Sequence, residues 1–363
     1  REPAMTRRLK TVTDRLRRDI VSGRLAPGQR LPRRDELSRR YGVRSDTVQA
    51  AVRSLVDEGF VVVGARRHGS FVAERPPHLH RYKLLFPYDP GHRGEFWRVL
   101  RQAALRMGRE GGREFSFFYG FGGHRGIESY RKLVEDVRAE RVAGLIFASG
   151  GAEFEGTPIL DQPGIPRVAV AEAYELPGIP KLSVDYASFF AKALAALAAQ
   201  GRRRIAVLFG AGANDTDSPL QRAYAAAMAR HRLAVHPLWT QFADVWSPLS
   251  ARRIAHVLLH DGQRLRPDGL IVADDSFLPA ATQGIGDAGV RVPGELSVVA
   301  LANFPAGVAA TVPVTRIGFD VDAMLDTLAG WIDQLRDGGR PPEFRKVPAL
   351  SEIEYRQARD GDR

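Results

Sequence analysis

SGRLAPGQRLPRRDELSRRYGVRSDTVQAAVRSLVDEGFVVV, residues 22–63, decides how the first part of the chain folds. Pro27, Gly28 and Pro32 punctuate residues 25–32, which read as a turn. A short helix is expected from about Arg34 to Tyr41, with Leu37 facing inward and Gly42 ending it. A second helix is expected to open with Ser45 as its N-cap and Asp46 in its first turn, where the helix dipole favours a carboxylate. Val48, Val52, Leu55 and Val56 form its apolar face, and Gly59 stops it. Helix, tight glycine turn, helix is a helix-turn-helix arrangement. Upstream, Leu9, Val12, Leu16 and Ile20 mark an amphipathic helix over about residues 6–21. Downstream, the short runs 60–63 and 69–73 flank a basic tip at Arg66 and Arg67, which reads as a two-stranded wing.

The charge supports that reading. The chain has 363 residues and a formal net charge of +11. Residues 1–81 hold 19 Lys+Arg against 9 Asp+Glu, whereas the other 282 residues hold 34 against 33. A basic module on a neutral body suggests a nucleic-acid partner for the module alone. With no cysteine, disulfides, thiolate metal sites and cysteine nucleophiles are excluded. No apolar run approaches the roughly 20 residues of a membrane span, and no signal-peptide core follows the basic N-terminus. A cytoplasmic, membrane-free protein is expected. The sequence opens on Arg1 rather than Met, so residues 1–4 are expected to be a processing remnant.

Residues 22–43, Thr47, Val48, 55–61 and 68–72 together resemble the winged-helix domain of the GntR family, over about 65 residues. The resemblance implies that the second helix of the pair enters the major groove while the wing reaches the minor groove or backbone. Carried over by position, the DNA contacts would be Arg33, Arg34, Asp35, Arg44, Ser45, Asp46, Thr47, Gln49, Arg66, Arg67, His68 and Gly69. Asp35, Ser45 and Gln49 stand where the family usually has arginine. Arg is the commonest reader of guanine and Gln suits adenine, so the operator is expected to differ from the usual family sequence.

Residues 75–81 are proline-bearing and polar and read as a semi-rigid linker between a winged helix over 1–74 and a body over 82–363. His78 and His80 have no acidic or histidine cluster beside them, so no metal is expected. The body alternates strand and helix patterns, which implies α/β architecture with parallel sheets flanked by helices. Two such series imply two lobes, with ligand bound at strand ends in the cleft between them.

The runs 141–149, 183–186, 200–210, 267–275, 287–301 and 313–320 resemble the two-lobed, periplasmic-binding-protein-like (type I) effector domain of LacI/GalR regulators. Joined to a GntR reader, this is similar to the arabinose-responsive branch of regulators. The resemblance implies three crossings between lobes, expected near 181–184, 311–314 and 339–343. Lobe 1 would then hold about 82–182 and 314–340, and lobe 2 about 183–313 and 341–356. By position it implies effector contacts at Tyr88, Asp89, Phe96, Ser149, Arg222, Trp246 and Asp275. Two expected aspartates are replaced by Ala171 and Ala302, which leaves Glu172 and Asn303 beside them as substitutes. A sugar site needs such hydroxyl partners, so the departures weaken the sugar expectation.

The glycine-rich runs 120–126 and 210–215 are neither a dinucleotide fingerprint nor a phosphate loop with its lysine. No catalytic triad, metal spacing or pyridoxal-phosphate lysine context stands out, so no cofactor and no catalytic residue are expected. The resulting expectation is a homodimeric, ligand-responsive repressor of a carbohydrate-utilisation gene set, bound to double-stranded operator DNA. The alternatives are an effector-blind regulator and an enzyme with an attached DNA-binding domain.

Overall fold

The computed structural model describes residues 4–64, 69–87, 89, 94–120, 128–172, 175–210, 218–244, 247 and 249–361. Three helices open the chain: α1 (Ala4–Val21), α2 (Arg34–Tyr41) and α3 (Ser45–Asp57). Val12, Leu16 and Ile20 of α1 repeat at helical spacing and are buried with Leu37 of α2 and Val48, Ala51 and Leu55 of α3. Gly42 closes α2 at φ 62°, a left-handed cap that suits a residue without Cβ. The expected cap of α3 shifts by one residue. Arg44 is the N-cap, and its carbonyl accepts from the N–H groups of Thr47 (3.0 Å) and Val48 (3.3 Å). Ser45 has already entered the helix, and no side chain caps it. The wing is β1 (Val61–Val63) paired antiparallel with β2 (Ser70–Val72).

The expected linker is a folded element. Pro77–His80 form one helical turn, α4, and Arg81 already belongs to the next strand, β3 (Arg81–Phe86). The His78 ring stacks on Phe60 at 5.9 Å, and the Arg81 guanidinium donates to the Glu58 carbonyl at 3.3 Å. Burial, reinforced by Arg336, pushes His78 down to about 4, so the ring is neutral at pH 7.

After β3 come α5 (Glu95–Arg109), β4 (Glu114–Tyr119), α6 (Glu128–Arg138), β5 (Gly144–Phe147), α7 (Pro158–Asp161), β6 (Arg167–Val170) and β7 (Lys181–Val184). The second series is α8 (Tyr186–Ala199), β8 (Ile205–Gly210), α9 (Pro219–Arg230), β9 (Thr240–Ala243), α10 (Leu249–Leu259), β10 (Gly269–Val272) and α11 (Leu278–Asp287). The chain ends with β11 (Ser297–Phe304), β12 (Thr315–Asp320), α12 (Val321–Arg336), β13 (Phe344–Val347), β14 (Leu350–Ser351) and α13 (Glu352–Gly361).

The strands form two six-stranded sheets, ordered β13-β7-β6-β5-β3-β4 and β14-β12-β11-β10-β8-β9. All pairs are parallel except β12 with β14. The chain passes between sheets after β7, between β12 and α12, and between β13 and β14. The expected crossings near 311–314 and 339–343 are therefore corrected to 320–321 and 347–350. The cause is strand pairing. β12 satisfies its backbone along β11, from Val299 opposite Thr315 to Phe304 opposite Asp320, which places residues 315–320 in the second lobe. β13 pairs with β7 and so belongs to the first lobe. Between them, α12 buries Met324, Leu325, Leu328 and Ile332 against the first sheet. Gly144 allows that approach, since a Cβ there would stand 2.6 Å from Ile332.

Candidate functional site

Two surfaces carry chemistry. The first is on the three-helix module. On α3, Asp46, Gln49 and Arg53 are exposed at three- and four-residue spacing, opposite the buried Val48, Ala51 and Leu55. Beside them a groove is lined by Arg30, Arg33, Arg34, Gln49, Arg53 and Gly69. Arg44, Ser45 and Thr47 stand at the N-terminal end of α3, and Asp35 is exposed in the first turn of α2. Among the described residues, Arg30, Arg33, Arg34, Arg44 and Arg53 form no ion pair. By contrast Arg17, on the packed side, is held by Glu58 and Asp14 at 2.7 Å each. Unneutralised guanidinium groups gathered on one face suit phosphate. Gly69 adopts φ 97°, and a Cβ there would approach Arg30 Nε to 3.0 Å. Arg30 and Arg53 escaped the sequence reading. The i+4 step from Gln49 was the signal for Arg53. Arg66, Arg67 and His68 lie outside the described residues.

The second surface is a cavity of about 600 Å³ at the strand ends where the two sheets face each other. Of the expected contacts, Phe96, Ser149, Glu172, Asp275 and Asn303 line it. Tyr88 and Trp246 lie outside the described residues. The expectation for two others is corrected. Asp89 is exposed and does not line the cavity. Arg222 is exposed on α9 and does not line it either. Tyr224, two residues on, turns inward, and two residues are about 200° of helix, so Arg222 faces away from that packed side.

The cavity also takes Glu95, Trp97, Glu175, Tyr186, Asp274 and Phe319, which the sequence did not single out. Local geometry fixes them. Trp97 donates from Nε1 to the Ala148 carbonyl at 3.0 Å, closing the strand end of β5. Glu172 Oε1 accepts from Ser183 Oγ at 2.8 Å, and Glu175 Oε2 accepts from the Glu172 N–H at 2.8 Å. Across the cleft, Asp275 is 2 % exposed and accepts from Asn303 Nδ2 at 3.0 Å on both oxygens. Burial, then the neighbouring Asp274 and Glu95, hold the Asp275 carboxyl well above its ordinary range. Asp274 is raised as well, chiefly by burial. Burial, reinforced by Asp274 and Glu172, pushes the Tyr186 phenol up to about 12, so it stays a neutral donor. The lobes already touch here, because Ser276 Oγ accepts from the Glu95 N–H at 3.2 Å.

The family model "Bacterial regulatory proteins, gntR family" matches residues 9–72, and "Periplasmic binding protein-like domain" matches 194–357. The chain is 22% identical to the HTH-type transcriptional regulator AscG of Escherichia coli (strain K12), over 69% of this chain and 74% of AscG. It is 23% identical to catabolite control protein A of Priestia megaterium over 47% of this chain, and spans about half of that relative, 51%. Among solved structures, a LacI family transcriptional regulator from Lactobacillus casei with bound sucrose superposes with TM-score 0.58. It is 18% identical, with 76% of this chain and 98% of that one covered. The lac repressor dimer bound to operator and the anti-inducer ONPF gives TM-score 0.58 at 18% identity, covering 74% and 92%. No described helix is long and apolar enough to cross a membrane. Residues 9–72 thus match the gntR family of bacterial regulatory proteins and residues 194–357 match a periplasmic binding protein-like domain, the two parts into which the fold divides.

Proposed function

We propose that the chain is a ligand-responsive transcriptional repressor that acts in the cytoplasm on double-stranded operator DNA as a homodimer. A small molecule in the interlobe cavity sets its operator affinity. One observation carries the reading: a face of unpaired arginines and an interlobe cavity occur in the same chain, joined by a folded connection. A dimer is supported by the lac repressor dimer on its operator among the structural neighbours. A carbohydrate-type effector is supported by the neighbours from Lactobacillus casei with bound glucose and sucrose and by the aromatic walls of this cavity. Phe96, Ser149, Glu172, Asp275 and Asn303 are the effector contacts in this reading, with Arg33, Arg34, Arg44, Thr47 and Gln49 on DNA. Ligand can act only through a difference in affinity between two lobe arrangements.

Selection of duplexes from a random pool by the full chain tests it. The expected result is enrichment of a near-palindrome with half-sites about one helical turn or a small multiple apart. Recovery of unenriched sequence overturns it.

A further inference from the structure

We propose that the molecule held in the interlobe cavity carries an ammonium or guanidinium group, gripped between carboxylates of both lobes and an aromatic wall. The inference rests on the cavity being the effector site and specifies the charge of what it takes.

The cavity, not the acidity, marks the site. It is an open cleft between the lobes, of a size that suits a small organic molecule. Its described lining carries Glu95, Glu172 and Glu175 from the first lobe and Asp244, Asp274 and Asp275 from the second, with no Lys, Arg or His. Arg98 neutralises Glu95 from outside the lining. Among the described residues Glu172, Glu175 and Asp274 have no cationic partner, and Asp275 feels, among cations, only the field of Arg98, a guanidinium already engaged by Glu95. Their partners are Ser183, Ser276, Asn303 and backbone N–H groups. Carboxyl groups drawn into a cleft without a counter-charge are costly as anions, and a bound cation lowers that cost. A neutral polyol leaves that charge uncompensated, and an anion worsens it.

Two further features choose the kind of cation. No group of three or more His, Asp or Glu among the described residues is placed to hold a metal ion. Between them Phe96, Trp97, Tyr186 and Phe319 line the same space, and aromatic faces attract organic cations. Because the acids sit on both lobes, a cation bound between them bridges the lobes. In the empty cleft, burial and like-charged neighbours bias Asp274 and Asp275 towards their protonated forms; a bound cation favours the ionised forms and draws the lobes together, which couples occupancy to lobe angle. An amino sugar satisfies both this charge and the carbohydrate-type effector.

The test is thermal denaturation of the full chain at pH 7.5 and constant ionic strength, with matched probes: glucosamine against glucose, putrescine against 1,4-butanediol, plus agmatine and magnesium chloride. At least one organic cation is expected to raise Tm by about 2 °C or more while its neutral counterpart does not. Calorimetric titration of that probe should show at least a tenfold loss of affinity in Asp275→Asn and in Glu172→Gln, each nearly isosteric with the native residue. A neutral sugar that stabilises the wild type and both variants alike overturns the charge assignment while leaving the effector cavity standing. A shift with magnesium alone, or with no organic cation, overturns it too. Failure to select an operator would count against the regulator reading instead.

Discussion

Gln49 and Arg53 stand one helical turn apart on the exposed side of α3, and in the proposed reading they divide the labour of DNA binding. Gln49→Ala and Arg44→Ala should each cost about 1–3 kcal/mol on the selected operator and relax its sequence. Arg53→Ala should weaken all duplexes alike and reduce the salt slope by about one, which fluorescence anisotropy against salt concentration reads directly. In the cavity, strand alternation explains which residues were legible. On β11 Leu301 and Asn303 line the cleft while Ala302 does not, so the missing acceptor is supplied one residue later. At the end of β6 no alternation applies: Val170, Ala171 and Glu172 all line the cleft, and Glu172 brings the carboxylate that Ala171 lacks. Arg222 was misleading because a helix position depends on rotation about an axis that sequence spacing leaves open. Asp275 gives a pH signature. Asp274, Glu95, Arg98 and the Asn303 amide face it, and its native carboxyl holds a proton more tightly than the unfolded one. Its contribution is therefore greatest at low pH and is lost as pH rises above the ordinary carboxylate range of about 4. In ligand-free protein, Asp275→Asn should flatten this loss and raise Tm at neutral pH relative to wild type.

At the scale of elements, α12 is the member whose packing ties the crossing between lobes to the connection with the DNA-binding module. It begins at the 320–321 crossing, packs on the first sheet, and ends where the Arg336 guanidinium donates to the Leu79 carbonyl at 3.3 Å. Leu328 is fully buried in it, so Leu328→Ala should cost about 2–5 kcal/mol in denaturant unfolding. The turn at 77–80 adds a titratable contact. His78 is neutral in the fold, so its contribution is complete above about pH 6.5 and is lost as pH falls towards 4, about 3 kcal/mol over that window. His78→Asn should remove this acid sensitivity in thermal denaturation between pH 7 and pH 4.5. The helices of the first module were legible because their apolar positions repeat at helical spacing over several turns. β13 and β14 were not. They are four and two residues long and pair with strands far away in sequence, β13 with β7 and β14 with β12. No local pattern encodes such pairing.

For the whole molecule, the excess charge and the cavity are complementary halves of one device. The basic excess lies in the helix-turn-helix module, where it suits phosphate, whereas in the proposed reading the acids of the cleft serve a cation. The two lobes meet at Glu95 and Ser276 beside that cavity, and the first lobe holds the turn that carries the winged helix. Ligand-driven change in lobe angle is thus positioned to alter the presentation of two winged helices in a dimer. The most direct measurement is the Kd of the full chain for its selected operator by anisotropy at fixed salt, with and without a saturating amount of whichever probe raises Tm most. The account predicts a change of about fivefold or more, the usual scale of allosteric coupling. An operator Kd that stays the same while the cavity is saturated would contradict it.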